Sequence, residues 1–317
     1  MTKTLVSIVI CTHRRPNLLR LAVQSLIDQT ASPEGYEVIV VDNDRNPNEE
    51  VREIVKQVDP FIQVCYIHEA TIGLSHARNT GGKAGQASYI GYLDDDAKVH
   101  PSYVHEVIRI IKDISPDIFG GPYYPFYLKP KPFWFLDRYG TGTEIGRFPL
   151  FLQKGRYLSG SNIFFKQELL EKVGWFDSQF GMMGKKIGYG EETMVQIKAW
   201  NANPHLKVYY HPGQYIEHLV PTRKMSLFYR LKSAFMMGNS QAYFWISENE
   251  IFSAQRNAPL RLIFLLLNLL LRTWPELALR DRCRFPYWQN YVYEQTAKYM
   301  TALGQESRRL RDLLSRP

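Results

Sequence analysis

Three consecutive aspartates, Asp94-Asp95-Asp96, directly follow the apolar run Tyr89–Leu93. Hard divalent cations take oxygen ligands and are commonly held by one or two carboxylates together with substrate phosphates. Alternation along an extended chain sends Asp94 and Asp96 to one side and Asp95 to the other. Read more simply, the same acids cap the helix expected near Pro101, because helix N-termini attract negative charge. A second acidic pair, Glu191-Glu192, follows the Gly-rich segment Gly181–Gly190. It suits either a helix start or a general base that an acceptor reaches through a flexible loop. Arg78, in Gly73-Leu74-Ser75-His76-Ala77-Arg78-Asn79, stands near the start of a helix, where both the dipole and the guanidinium favour an anion. A solvated helical arginine is the plain alternative.

These residues need elements to hold them, and the first hundred residues supply a regular alternation. Val6–Cys11 is a continuous β-branched run, as in a strand covered on both faces. Pro16 opens a helix in which Leu18, Leu19, Ala22, Val23, Leu26 and Ile27 repeat at helical spacing. Glu37–Val41 and Val64–Ile67 read as further strands, separated by a helix beginning near Pro47 with Glu49 and Glu50 in its first turn. A helix over 74–83 and a strand over Tyr89–Leu93 complete a βαβαβαβ order. That order predicts an α/β fold with a mostly parallel sheet and helices on both faces. Ligands bind beyond the carboxyl ends of such strands. Three of them end in Thr12-His13-Arg14, Asp42-Asn43-Asp44 and Asp94-Asp95-Asp96.

Several other readings fail. The first loop has no GxGxxG, and Gly82-Lys83 is followed by Ala84 with Ala77 where a P-loop needs glycine. Phosphate must therefore be neutralised by something else, and a metal is the natural choice. Cys11, Cys65 and Cys283 are far apart and odd in number, which argues against a disulfide framework and for a reducing compartment. Lys plus Arg number 39 against 31 Asp plus Glu, a net +8. Residues 251–317 hold 11 basic and 5 acidic side chains, so most of the excess is local and a nucleic-acid-coating protein is not expected. Leu262–Leu271, bracketed by Arg261 and Arg272, is too short for the about 20 residues a bilayer span requires. The Gly-, Pro- and aromatic-rich middle, 117–165, reads as irregular strands and loops. Its aromatics, Tyr123 to Trp134, serve either as core or as an exposed stacking surface. Asn162–Phe165, 167–173, Glu191–Trp200 and Val208–Tyr210 continue the strand and helix pattern. The chain then turns helical over Ser226–Ile246, Leu260–Arg272 and Tyr287–Leu314.

Taken together, the chain resembles the family 2 inverting glycosyltransferases of GT-A fold. The resemblance rests on Val6-Ser7-Ile8-Val9-Ile10-Cys11-Thr12-His13-Arg14, Val40-Val41-Asp42-Asn43, the segment around Arg78 and Leu93-Asp94-Asp95-Asp96. Further on it includes Ser159-Gly160-Ser161-Asn162, Gly174-Trp175-Phe176-Asp177 and Gly190-Glu191-Glu192, all in the family's order over about residues 4–220. It implies a catalytic domain over 1–222, with a nucleotide-sugar half (1–100) and an acceptor half (101–222), and a helical C-terminal extension over 223–317. It also implies nucleotide-sugar binding by Thr12, Arg14, Asp42, Arg78, Asp94 and Asp95. A divalent cation, Mn²⁺ or Mg²⁺, would be held by Asp96 and Asp94, with His218 resembling a late histidine that helps hold metal or diphosphate in some relatives. The acid pair stands where the second acid is the family's base, which points to Glu192, with Glu191 as the other candidate. The implied partners are a nucleoside-diphosphate sugar and a glycan or lipid-linked acceptor of surface polysaccharide synthesis. A cytoplasmic location, peripheral at the inner face of an anionic membrane, goes with them. Two alternatives stay open. A nucleotidyltransferase shares the α/β sheet and metal carboxylates but normally needs a Gly-rich, Lys-bearing first loop, where this chain has Thr12-His13-Arg14-Arg15-Pro16. A non-catalytic binding protein would be expected to have lost its acids, and here they are all present.

Overall fold

The β-branched run of the first strand, Val6–Thr12 (β1), lies at the middle of an eight-stranded sheet, where both faces exclude water. In the computed structural model, residues 4–32, 35–184, 187–242, 257–269 and 277–314 are described. The sheet contains Tyr36–Asp42 (β2), Val64–His68 (β3), Tyr89–Asp94 (β4), Ile118–Gly120 (β6), Leu150–Phe151 (β8), Asn162–Lys166 (β9) and Val208–Tyr210 (β10). Its order is β3-β2-β1-β4-β9-β6-β10-β8. The first four strands pair in parallel, as the alternating sequence requires, whereas β9 runs antiparallel to both β4 and β6. A smaller sheet joins Ala97–Val99 (β5), Ile216–Leu219 (β11) and Tyr123–Phe126 (β7), with β11 in the centre.

Helices cover both faces. Pro16–Ile27 (α1), Glu49–Val58 (α2) and Tyr103–Asp113 (α4) pack with Val6, Ile8 and Ile10 in one core. Leu74–Ala84 (α3), Gln167–Val173 (α5) and Glu191–Ala202 (α6) enclose Val9, Ile39 and Val41 in the other. Local chemistry sets several boundaries. Pro16 occupies the first turn of α1. Asn48 caps α2 by accepting from the N–H groups of Glu50 and Val51. Gly73 precedes α3 at φ +152°, a conformation strained for residues with a Cβ, and its N–H donates to Asn43 Oδ1 at 2.8 Å.

The chain forms two compact units. The first comprises Met1–Phe126, Gly140–Lys186 and Glu191–Leu219 and holds both sheets. The second comprises Tyr127–Tyr139, Ile187–Gly190 and Val220–Pro317. In this second unit Leu227–Gln241 (α7), Ala258–Asn268 (α8) and Trp288–Leu314 (α9) are the α-helices among the described residues. Helices α7 and α9 approach closely at Gly238 and Gly304. A Cβ on Gly238 would sit 1.8 Å from the Thr301 carbonyl oxygen, so only glycine permits this crossing. Trp134, Phe135 and Tyr139 pack with Val220 and Met225, and Glu294 accepts from the Tyr139 hydroxyl at 2.6 Å. The aromatic-rich middle therefore divides: Trp134 is core, Tyr123 to Tyr127 are half-buried and Phe133 is exposed. Residues 243–246 of the expected seventh helix and 270–272 of the eighth lie outside the described residues.

Candidate active site

The site lies at the carboxyl ends of β1, β2 and β4. Register carries Thr12 beside Asp42 and Cys11 beside Asp94, so three polar strand ends share one edge. Asp94 ends β4 and Asp96 precedes β5. Strand β11 pairs antiparallel with β5 and sets His218 opposite Ala97. That register brings the imidazole back to the aspartates. His218 Nε2 lies 3.2 Å from Asp94 Oδ2 and 3.2 Å from Asp96 Oδ1. The three ligand-capable atoms all fall within 4.8 Å of one another. Two carboxylate oxygens and one imidazole nitrogen make a donor set that fits a divalent cation, and Mn²⁺ and Mg²⁺ are among the ions that favour such oxygens.

Asp95, in the turn between β4 and β5, points elsewhere. It accepts from Thr12 Oγ1 at 2.8 Å and from Arg15 Nη1 at 3.1 Å. Burial, helped by the neighbouring Asp96 charge, outweighs Arg15 and pushes the Asp95 carboxyl up to about 7. Arg15 also reaches Asp96 Oδ2 at 3.4 Å, so this cation spans two members of the triplet. Nothing in the spacing separates Arg15 from Arg14; the signal is only two adjacent arginines beyond a strand end. Arg14, at φ +57°, instead pairs with Asp44 and is largely exposed. Asp42 is fully buried. Its Oδ2 accepts from the Asn48 N–H at 2.7 Å and from Tyr66 Oη at 2.9 Å, while its Oδ1 is buried without a partner among the described residues.

Arg78 is the hub on the other side. It is buried on α3, donates to Glu191 Oε1 at 2.8 Å and to the Gly160 carbonyl at 3.0 Å, and lies 3.4 Å from Asp94. Burial alone would lower its proton affinity, but Glu191 and Asp94 more than offset that, so the guanidinium stays charged. A Cβ on Gly160 would fall 2.8 Å from Arg78 Nη1, which explains glycine there. Glu191 and Glu192 begin α6. Glu191 is committed to Arg78 through one oxygen, and its other is buried without a partner among the described residues. Half-buried Glu192 has no such commitment. Loss of hydration and the adjacent Glu191 charge raise its carboxyl well above the ordinary range. Thr12, Arg15, Asp94, Asp95, Asp96, Arg78, Glu191 and His218 therefore form one connected set, with Arg15 joining Asp95 to Asp96 and Glu192 beside the set, while Arg14 and Asp42 hold the neighbouring edge.

A family model described as "Glycosyl transferase family 2" matches residues 7–174, more than half of the chain. This protein belongs to that family. The family 2 chain is 27% identical over 210 residues to a glucosyl-dolichyl phosphate glucuronosyltransferase of Haloferax volcanii, covering 64% of this chain and 66% of that protein. It is 24% identical over 220 residues to a chondroitin synthase of Escherichia coli, covering 58% of this chain and 31% of the other. It thus spans about a third to two thirds of these curated relatives' lengths. Among solved structures, the mannosyltransferase PcManGT from Pyrobaculum calidifontis, in complex with GDP-Man and Mn²⁺, superposes at a TM-score of 0.57. Identity there is 14%, with 100% of this chain and 77% of that chain covered. S. aureus TarS 1–349 matches at 0.54 with 13% identity, covering 99% of this chain and 92% of that one. Both have the GT-A fold, and so does this family 2 chain.

Proposed function

We propose that this family 2 chain transfers a sugar from a nucleoside-diphosphate sugar to an acceptor hydroxyl, with inversion at the anomeric carbon. The observation that carries the reading is the convergence of Asp94, Asp96 and His218 beside the Arg78–Glu191 pair at one sheet edge. A divalent cation, Mn²⁺ or Mg²⁺, held by Asp94, Asp96 and His218 would offset charge developing on the diphosphate leaving group. Thr12, Arg14, Asp42 and Asp95 shape the nucleoside side, where the buried unpaired oxygen of Asp42 suits a donor group of base or ribose. Arg78, kept charged and oriented by Glu191, adds fixed positive potential near the diphosphate. Glu192 takes the acceptor proton as the acceptor oxygen attacks the anomeric carbon and the bond to the diphosphate oxygen breaks. Its raised proton affinity suits a general base working near neutrality.

Residues 1–222 carry this chemistry in our reading, and 223–317 form the helical extension. GDP-Man and UDP-GlcNAc, the donors named for PcManGT and TarS, are the first to try. A glycan or lipid-linked acceptor accords with the names of the two curated relatives, and a cytoplasmic position peripheral to an anionic membrane would present the lipid-linked kind. Product analysis tests the reading. Nucleotide sugars with Mn²⁺ should yield free nucleoside diphosphate and a sugar of inverted anomeric configuration. Pyrophosphate would instead indicate nucleotidyl transfer, and retained configuration would remove the single displacement.

A further inference from the structure

Helix α8, of sequence APLRLIFLLLN, is apolar around its circumference except for Arg261 and Asn268. Such a helix is normally covered on all sides. Here it packs against α9, and Arg261 pairs with Glu306 of that helix at 3.6 Å. Ala258, Leu262, Leu265 and Asn268 are its less exposed positions, spaced by four, three and three, and mark the packed side. Leu260, Ile263, Phe264 and Leu267 form a second stripe at i, i+3, i+4 and i+7, and they are 71%, 56%, 65% and 49% exposed. One continuous stripe of large apolar side chains in water is the kind of surface that marks an interaction site.

Charge selects the occupant. Residues 251–317 carry 11 basic and 5 acidic side chains, and the apolar run is bracketed by Arg261 and Arg272. A second copy on this face would bring two positive segments together, whereas an anionic bilayer brings the opposite charge. The apolar run Leu262–Leu271 has ten residues, a helical rise of roughly 15 Å and about half of a hydrocarbon core, which suits lying in the interface. Among the described residues no helix is long and apolar enough to cross a membrane. Tyr287 and Trp288, exposed in the same unit, are residue types that favour the boundary between headgroups and acyl chains. We propose that α8 is an interfacial helix that docks this protein on anionic lipid through Leu260, Ile263, Phe264 and Leu267. The proposal deepens the transferase reading, in which a lipid-linked acceptor would then be within reach. Lipid binding is nevertheless measured without turnover, so either can fail alone.

The test is flotation of the full chain with vesicles of phosphatidylcholine alone and of phosphatidylcholine with phosphatidylglycerol. Binding to the anionic vesicles only, weakened by salt, is expected. The double variant Ile263→Glu, Phe264→Glu should bind roughly tenfold or more weakly, with an unchanged thermal melt. Hydrogen exchange on the unmutated chain should show amides 258–268 protected by anionic vesicles, a readout that needs no variant to fold. Absence of vesicle binding, equal binding by the double variant, or no protection of 258–268 would overturn the proposal. A dimer in solution that the same double variant dissolves would also overturn it, by assigning the stripe to a second copy.

Discussion

The two glutamates at the start of α6 differ by their partner. Glu191 is tied to buried Arg78, whereas Glu192 is not, and this predicts opposite phenotypes. Glu192→Gln should lower kcat by roughly 10²–10⁴-fold and leave nucleotide affinity nearly unchanged, since a base acts on the chemical step. Glu191→Gln removes the nearer of the two carboxylates facing the buried guanidinium and leaves Asp94 at 3.4 Å. It should therefore lower the melting temperature, at a cost below the about 3–5 kcal/mol of a fully orphaned buried charge. Steady-state kinetics and a thermal melt on both variants separate the roles, and the reverse pattern would exchange them. The raised proton affinity of Glu192 has a sign as well. A base works deprotonated, so kcat should fall as pH drops through a value above the ordinary carboxylate range of about 4.3. A pH profile flat down to pH 5 would contradict that assignment.

At the scale of elements, β4 ends on Asp94 and leads into Asp96, the acids that would hold the cation, and its path depends on Gly91. A Cβ there would sit 2.2 Å from the Phe164 ring on neighbouring β9. Gly91→Ala should destabilise by about 1–3 kcal/mol through overpacking, read as a lower denaturant midpoint. An unchanged midpoint would show that Phe164 can move aside at no cost. The first four strands, α1 to α3 and the approximate limits of α6 are legible in the sequence because their apolar periodicities are local. Strand alternation also sets Asp95 apart from Asp94 and Asp96, and the outcome agrees, but Asp95 and Asp96 occupy the turn between β4 and β5, so that turn and not a pleat separates them. The pairing of β11 with β5 is not legible. It joins residues over a hundred positions apart through three- and four-residue strands, and no local pattern encodes that register. His218 therefore enters the sequence reading only by family resemblance. Arg15 does not enter it as a site residue, because which of two adjacent arginines turns inward depends on the backbone at Arg14. The burial of Arg78 against Glu191 is equally long-range, spanning 113 positions.

For the molecule as a whole, Asp94, Asp96 and His218 would together hold the cation through which a nucleoside diphosphate binds. The most direct measurement is calorimetric titration of UDP and GDP into the full chain, with Mn²⁺ and with EDTA, repeated for Asp96→Asn and His218→Ala. At least one nucleotide should bind with Mn²⁺, EDTA should reduce its affinity by roughly tenfold or more, and Asp96→Asn should reproduce the loss without changing the melt. His218→Ala should weaken metal-dependent binding less than Asp96→Asn, because it removes a neutral ligand and leaves both carboxylates. Undiminished nucleotide binding in EDTA, or full Mn²⁺-dependent binding by Asp96→Asn, would contradict the account.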